Sequence, residues 1–241
     1  MTGNDDTEGP RTLKTVSTAM SVLDIVRDRG TVGVSELADQ LDLSKSTAYI
    51  HLKTLETDGF LINDDGEYSL AFKFTVFGEH VRSQSPLYRH GTPEVDRLAE
   101  ETNQYTHIVT EENGYGINLY QTRGATSVSG KYERDKVRRR DYLHYTASGK
   151  AILAALPPDR VDAILDRHGL PKRTENTITD ADALSAELDR IRDRGYAYND
   201  EEEIEGYRAV GAPIQGPDGR VLGSLSVSGP TSFMQGDRYR D

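Results

Sequence analysis

One stretch of the chain, residues 43–55, combines basic and hydroxyl side chains with no acidic residue. Ser44 can cap a helix there, and Lys45 and Ser46 follow in its first turn. The N–H groups and the dipole at a helix start favour a phosphate, and lysine and hydroxyl side chains bind phosphates and base edges. DNA contact is therefore the predicted chemistry. With neighbours that could reach a duplex, the candidate contacts are Arg11, Lys14, Ser44, Lys45, Ser46, Thr47, Tyr49, His51 and Lys53.

Catalytic and metal-binding patterns are weak by comparison. The chain has no cysteine and no HExxH pattern, which excludes disulfides, thiol catalysis and Cys-based zinc sites. His107 and His144 could face one interior, but packed histidines are the better prediction. The acidic run at 200–203 could hold a cation, although a solvated loop is expected. We predict no enzyme activity, no metal site and no cofactor.

The elements around the DNA-contacting stretch predict a winged helix-turn-helix over residues 12–71, after a disordered tail over 1–11. An amphipathic helix runs from Thr15 to Arg29, with Val16, Met20 and Val26 among its apolar positions, and glycine ends it. Ser35 can cap a second helix, and residues 43–55 form the third. Two short apolar runs around an Asp-Gly turn then predict a β-hairpin.

Residues 72–86 predict a linker helix with Phe72, Phe74 and Phe77 in it. Three phenylalanines so close together need an apolar partner. The same helix of a second subunit and the chain's own N-terminal domain are both open as that partner.

Residues 87–241 predict a second domain of α+β class with an antiparallel sheet, because strands are followed by helices and then by more strands. The chain as a whole is thus expected to be α+β. The predicted helices are Thr92–Thr102, Ser148–Leu156, Asp159–His168 and Asp180–Arg194. The predicted strands are Thr106–Thr110, Tyr115–Gln121, Tyr196–Asn199, Ala209–Ile214 and Arg220–Ser228. The charged run Lys131–Arg140 predicts a solvated strand or loop.

The charge balance is acidic, with 29 Lys and Arg against 40 Asp and Glu and a net charge of −11. An aspartate-rich, lysine-poor surface favours adaptation to high salt over ordinary acidic drift. Residues 1–80 carry seven basic and fourteen acidic residues, which is the wrong sign for binding phosphates. Charge placement within 43–55 and high working salt both reduce this conflict. No apolar run is long enough to span a membrane, and a cytoplasmic location is expected.

Several motifs resemble those of the IclR-type transcription regulators, and together they cover about residues 12–230. In the first half they are SVLDIV, VSELADQLDLSKSTAYIHLKTLETDGFL and GEYSL. In the second half they are ASGKAILAAL, GYAYNDEEEIEGYRAVGAPI and VLGSLSVSGP. The resemblance implies a winged helix, a dimerising linker helix and a GAF-like effector domain. It also implies a homodimer or a dimer of dimers on a palindromic operator. Together with the composition, it suggests a halophilic archaeon as the source.

In such proteins a small organic acid or sugar-derived effector lies between the start of the ASGKA helix and the strands that follow it. The resemblance places that pocket at Ala147, Ser148, Asn199, Tyr207, Ala209, Ser226 and Ser228.

The chain also departs from the family pattern. Many members have Cys at Ala209, Asp at Asn199 and Arg at Ile50, which changes the ligand chemistry and the usual DNA contact. Members also continue into a further helix after SxSGP, and that helix is largely missing here.

The leading hypothesis is a DNA-binding regulator whose operator affinity responds to a metabolite through the linker helix. The alternative is a small-molecule sensor that acts mainly through protein contacts. It draws support from the acidic N-terminal half and from Ile50. An enzyme on a GAF-like scaffold is a third hypothesis, and the absence of a catalytic constellation counts against it.

Overall fold

The computed structural model describes residues 12–125, 127 and 140–235. The chain divides into two compact units, Met1–Val81 and Arg82–Asp241. Helices and antiparallel sheets occur in both, which confirms the predicted α+β class. The predicted tail over 1–11 and most of the charged run Lys131–Arg140 lie outside the described residues.

The first unit is a helix-turn-helix followed by a β-hairpin wing. Its elements are α1 (Lys14–Arg29), β1 (Val32–Gly33), α2 (Val34–Leu41), α3 (Lys45–Thr57), β2 (Leu61–Asp64) and β3 (Glu67–Leu70). The strands pair antiparallel in the order β1-β3-β2. The wing turns at Asp65 and Gly66, both at positive φ, as the Asp-Gly pair predicts. A core from all three helices and the hairpin holds the unit together.

Two local predictions in this unit are wrong. Val16 and Met20, two of the predicted apolar positions, are 52% and 53% exposed, whereas the predicted Val26 and also Val22 are fully buried, so the core face of α1 is only partly the predicted one. Ser35 does not cap α2, because the cap position lies two residues earlier, at Gly33, and has no side-chain cap. Both helices are present as predicted. The differences lie in the buried face of α1 and in the first residue of α2.

Helix α4 (Lys73–Gln84) answers part of the question about the phenylalanines. The Phe74 and Phe77 rings lie 5.5 Å and 6.0 Å from the Phe60 ring. The chain's own first unit is therefore one partner. Phe72, just before α4, and Val76 within it remain 85% and 70% exposed, so an apolar surface at the start of α4 is left uncovered.

The second unit is a six-stranded antiparallel sheet with helices on both faces. Its helices are α5 (Pro86–Thr102), α6 (Ala147–Ala155), α7 (Pro158–His168) and α8 (Ala181–Arg194), with a short 3-10 turn at Leu143–Tyr145. Its strands are β4 (Tyr105–Glu112), β5 (Tyr115–Arg123), β6 (Asp141–Tyr142), β7 (Ala197–Asp200), β8 (Tyr207–Gln215) and β9 (Val221–Pro230). The strand order is β6-β5-β4-β9-β8-β7.

Each face of this sheet has its own apolar core. On one face α5 packs over Ile108 with its residues Leu87 and Val95. On the other face α6 packs against the sheet and α8, with Val109 and Ala197 contributed by the strands. The polar side chains at the start of α6 therefore lie against one defined surface of the sheet.

Candidate nucleic-acid interface and ligand pocket

Helix α3 has a continuous exposed face opposite its buried one. Ala48, Leu52 and Leu55 are buried, as the apolar spacing predicts. The exposed positions recur at helical spacing and are Lys45, Ser46, Tyr49, Ile50, Lys53 and Thr54. This is the second helix of the helix-turn-helix pair, the one that fits a major groove.

Hydroxyl groups organise the start of α3. Ser44 is the N-cap, and its Oγ accepts a hydrogen bond of 3.2 Å from the Thr47 N–H. The same oxygen lies 2.9 Å from Ser46 Oγ and 2.8 Å from Thr47 Oγ1. Ser44 and Thr47 thus fix the helix start, while Lys45 beside them is exposed and has no ion pair among the described residues.

The remaining predicted contacts differ in how available they are. Lys53 Nζ donates to Glu56 at 2.9 Å, so its charge is partly neutralised. His51 is half-buried and Tyr49 about half-exposed. Lys14, at the start of α1, is exposed, and Arg11 lies outside the described residues.

The wing, which follows α3 in the chain, carries negative charge. Asp64 and Asp65 at its tip are both exposed. Long-range attraction to DNA is therefore weaker than for a basic wing.

In the second unit, the N-terminus of α6 packs directly on strands β8 and β9. Ser148 Oγ lies 2.7 Å from Ser226 Oγ. A Cβ on Gly211 would come within 2.9 Å of the Ser148 backbone nitrogen, so this glycine permits the close approach. The first N–H groups of a helix have no partner inside it, and here those of Ala147 and Ser148 start a buried helix end.

The strand register brings the other predicted pocket residues together. Asn199 pairs with Ala209, and Ala209 pairs with Ser228. Directly opposed residues in an antiparallel sheet share a face, and Ser226 and Tyr207 lie on that face two residues along their strands. All are buried except Tyr207, which is half-buried. The result is a cluster of hydroxyl and amide groups beneath the start of a helix.

The acidic run after β7 is not the solvated loop that its composition predicts. Glu202 and Glu203 are only 7% and 3% exposed. Glu202 forms an ion pair with Lys150 of α6, and its N–H donates to Asn199 Oδ1 at 2.9 Å. Burial raises the pKa of Glu202, against the lowering effect of Lys150. This pair, which sequence reasoning missed, ties the Asn199 loop to α6.

Two buried histidines belong to the same domain. The Nε2 atom of His144 lies 3.1 Å from the carbonyl oxygen of Pro171. Because a carbonyl oxygen can only accept, the ring donates this hydrogen bond. Burial lowers the pKa of His144. His107 is opposite Ser226 in the β4–β9 register, and the pocket prediction had not included it. Only the pairing of distant strands, which local spacing does not give, identifies it as a neighbour.

A helix-turn-helix with a wing, joined to an α+β domain that has a buried cluster of polar side chains, is the architecture of a transcription regulator of the ligand-responsive class. Residues 15–65 match the IclR helix-turn-helix domain, and residues 80–241 match the bacterial transcriptional regulator IclR C-terminal domain. The chain therefore belongs to the IclR family of transcription regulators, as its motifs suggest.

Known relatives span nearly its whole length. A probable HTH-type transcriptional regulator ArcR of Halobacterium salinarum is 36% identical over 231 residues, 95% of this chain and 88% of that protein. The IclR crystal structure of Thermotoga maritima is 28% identical with a TM-score of 0.73, over 95% of this chain and 92% of that one. An IclR homologue from Microbacterium hydrocarbonoxydans complexed with 4-hydroxybenzoate shares the fold at 22% identity, with a TM-score of 0.72 over 90% of this chain and 88% of that one. No helix among the described residues has the length and apolar character to cross a membrane.

Proposed function

We propose that this chain binds a palindromic operator through α3 and that a small organic acid or sugar-derived metabolite changes its operator affinity. The observation that carries the proposal is the exposed, acid-free face of α3, with Lys45 beside a hydroxyl-capped helix start. Lys45 and Ser46 contact phosphates or base edges, and Tyr49 lies farther along the groove. Lys14, Arg11, His51 and Lys53 are secondary contacts, since Lys53 is shared with Glu56.

We place the effector beneath the start of α6. The N–H groups of Ala147 and Ser148 suit a carboxylate, and Ser226, Ser228 and the Asn199 amide suit hydroxyl or carbonyl groups. The complex of the Microbacterium homologue with 4-hydroxybenzoate supports a ligand of this general chemistry, a small acid with a further polar group. Tyr207 and Ala209 line the side of the pocket.

We further propose that the protein acts as a homodimer, or a dimer of dimers. Phe72 and Val76 leave an apolar surface on α4 that a second copy would cover. The effector binds one arrangement of the sensor domains more tightly than another. α4 then changes the spacing of two recognition helices whose half-sites lie about one helical turn apart.

The relatives are named as transcription regulators, and we assign the chain no catalytic role. Its acidic composition and its Halobacterium relative support a cytoplasm rich in salt, such as that of a halophilic archaeon, as its location. The second candidate function remains a sensor that acts through protein contacts. The acidic tip of the wing and the partly neutralised Lys53 support it, because both weaken attraction to DNA.

The test is binding to DNA from upstream of the gene, titrated from low to multimolar KCl. We expect sequence-specific binding that Lys45→Ala weakens while also reducing the dependence on salt by about one counterion. Lys172→Ala is the matched control, because Lys172 is an exposed lysine paired with Glu175 in the other unit. Absence of specific binding at every salt concentration would favour the protein-contact sensor.

A further inference from the structure

Ile50 occupies an unusual place for an aliphatic residue. It is 63% exposed and lies near the middle of α3, between Ser46 and Lys53 on the exposed face. A single exposed aliphatic side chain is ordinary on a protein surface. Here, however, it stands at the centre of the face that is proposed to enter the groove, and Tyr49 beside it is also about half-exposed.

The major groove offers one apolar group on its base edges, the 5-methyl of thymine. An isoleucine side chain has no hydrogen-bond donor or acceptor. Over any other base edge it would cover a polar group without pairing it, and a buried unpaired polar group is costly. Over thymine it buries apolar surface on both partners.

We propose that Ile50 reads the 5-methyl group of thymine at one A·T pair in each half-site. The inference rests on the proposed binding of DNA by α3, and it names the base chemistry that the centre of the helix selects. Among the exposed positions of α3, Ile50 is the only aliphatic side chain, whereas Tyr49 and Thr54 carry hydroxyl groups. Lys45 and Ser46 are polar, and the ammonium group of Lys53 lies 2.9 Å from Glu56.

Such a contact also suits an acidic protein at high salt. Affinity from lysine–phosphate contacts falls as salt rises, because it depends on the release of counterions. A contact between two methyl groups releases none. The protein has a net charge of −11. The specificity that Ile50 contributes is therefore retained at salt concentrations where phosphate contacts weaken.

The probe is a duplex site that the wild-type protein selects from a random DNA pool. Each thymine in one half-site is replaced in turn by deoxyuridine, which lacks only the methyl group. We expect one position at which this change weakens binding by about fourfold, the effect of one buried methyl. Ile50→Ala weakens binding to the thymine site and abolishes the thymine–uridine difference at that position.

Ile62→Ala is the matched control, since Ile62 is 49% exposed and lies on β2 of the wing, outside α3. It should leave the thymine–uridine ratio unchanged. Both side chains are exposed, so the thermal midpoints of the two variants should match the wild type. The loss caused by Ile50→Ala should have the same fold-change at low and at multimolar KCl, whereas the loss caused by Lys45→Ala should shrink as KCl rises.

The possible outcomes distinguish a failure of the role of Ile50 from a failure of the proposed DNA binding by α3. Specific binding with no methyl-sensitive thymine, or an Ile50→Ala variant that keeps the thymine–uridine ratio, overturns the role of Ile50 and leaves the regulator intact. Failure of the wild-type protein to select any site at any salt concentration overturns both.

Discussion

The ion pair between Lys150 and Glu202 joins two segments that contribute residues to the proposed effector pocket. The Lys150 side chain is 2% exposed and that of Glu202 is 9% exposed. Glu202 Oε2 is buried without a hydrogen-bond partner among the described residues. A buried pair of this kind contributes little net stability, but loss of one partner leaves a charge that water cannot reach. The pair therefore fixes geometry, since it joins α6 to the loop that holds Asn199.

Lys150→Met should destabilise the protein by about 3–5 kcal/mol, because it leaves the Glu202 carboxylate buried and unpaired. Urea denaturation at constant high KCl measures the free energy of unfolding. Lys172→Met is the matched control. Its partner Glu175 is 87% exposed, and loss of such a surface pair should cost about 0.5 kcal/mol or less. Similar losses in the two variants would contradict the structural role of the buried pair.

His144 should make stability depend on pH. Burial lowers its pKa from 6.5, so the unfolded chain takes up a proton at a higher pH than the folded chain does. Stability is then complete above about pH 6.5 and is lost as the pH falls toward the folded pKa. His144→Gln keeps a donor for Pro171 O but does not titrate, and its unfolding free energy should vary less across this window, where one site contributes at most about 1.4 kcal/mol per pH unit.

The matched control is His90→Gln, which replaces an exposed histidine of α5 and shows what the same substitution does at the surface. A His144→Gln pH profile that follows that of the wild type would contradict the proposed burial of a neutral imidazole.

Among the elements, α4 combines apolar contacts to the first unit with an exposed apolar surface. Its Phe74 and Phe77 complete the first unit by packing on Phe60, while Phe72 and Val76 stay exposed. The structure thus supports intramolecular packing for two of the three phenylalanines and leaves an apolar surface for a second copy. Val76 tests dimerisation better than Phe77, whose replacement would also disturb its stacking on Phe60.

Val76→Asp should convert the proposed dimer to a monomer, because an aspartate in an apolar interface loses hydration without a partner. Sedimentation velocity measures the change in mass, and operator affinity should fall with it. Thr75→Asp, at the adjacent exposed position of α4, should leave the dimer intact. A Val76→Asp protein that remains dimeric would show that α4 is not the interface.

The elements also show what a sequence can and cannot predict. Apolar periodicity located α1, α3 and α6 within a residue or two, since core packing imposes it. The start of α5 is predicted at Thr92 from the sequence. The helix instead begins at Pro86, where Ser85 Oγ accepts from the Tyr88 N–H, and Pro93 lies inside it.

Contacts between distant segments were beyond such patterns. The run of acidic residues predicts that Glu202 and Glu203 are solvated. The partner of Glu202, Lys150, is 52 residues away in sequence, so a local pattern does not reveal the pair. His107 likewise enters the pocket region only through the pairing of β4 with β9. By contrast, Ser148 and Ser226, which family motifs indicated, do lie within hydrogen-bond distance.

At the scale of the whole molecule, an acidic chain must bind an acidic polymer. The net charge of −11 opposes association with DNA at low salt, and high salt screens that repulsion. The attraction to DNA then depends on local contacts. These are the capped start of α3, Lys45, which has no ion pair among the described residues, and the apolar side chain of Ile50. This arrangement fits a protein whose specificity depends more on contact chemistry than on overall charge.

The coupling between the two proposed sites tests most directly whether a ligand beneath α6 controls the affinity of α3 for DNA. Small organic acids and sugar acids are screened for an increase in thermal stability, and the operator affinity is then measured with and without each compound that binds. We predict a change of about 5- to 150-fold, matched by an equal effect of operator DNA on ligand affinity. Ser226→Ala should weaken binding of the ligand and leave the affinity of the unliganded protein for its operator unchanged. A compound that binds at Ser226 and leaves operator affinity unaltered would contradict this control of DNA binding by the ligand.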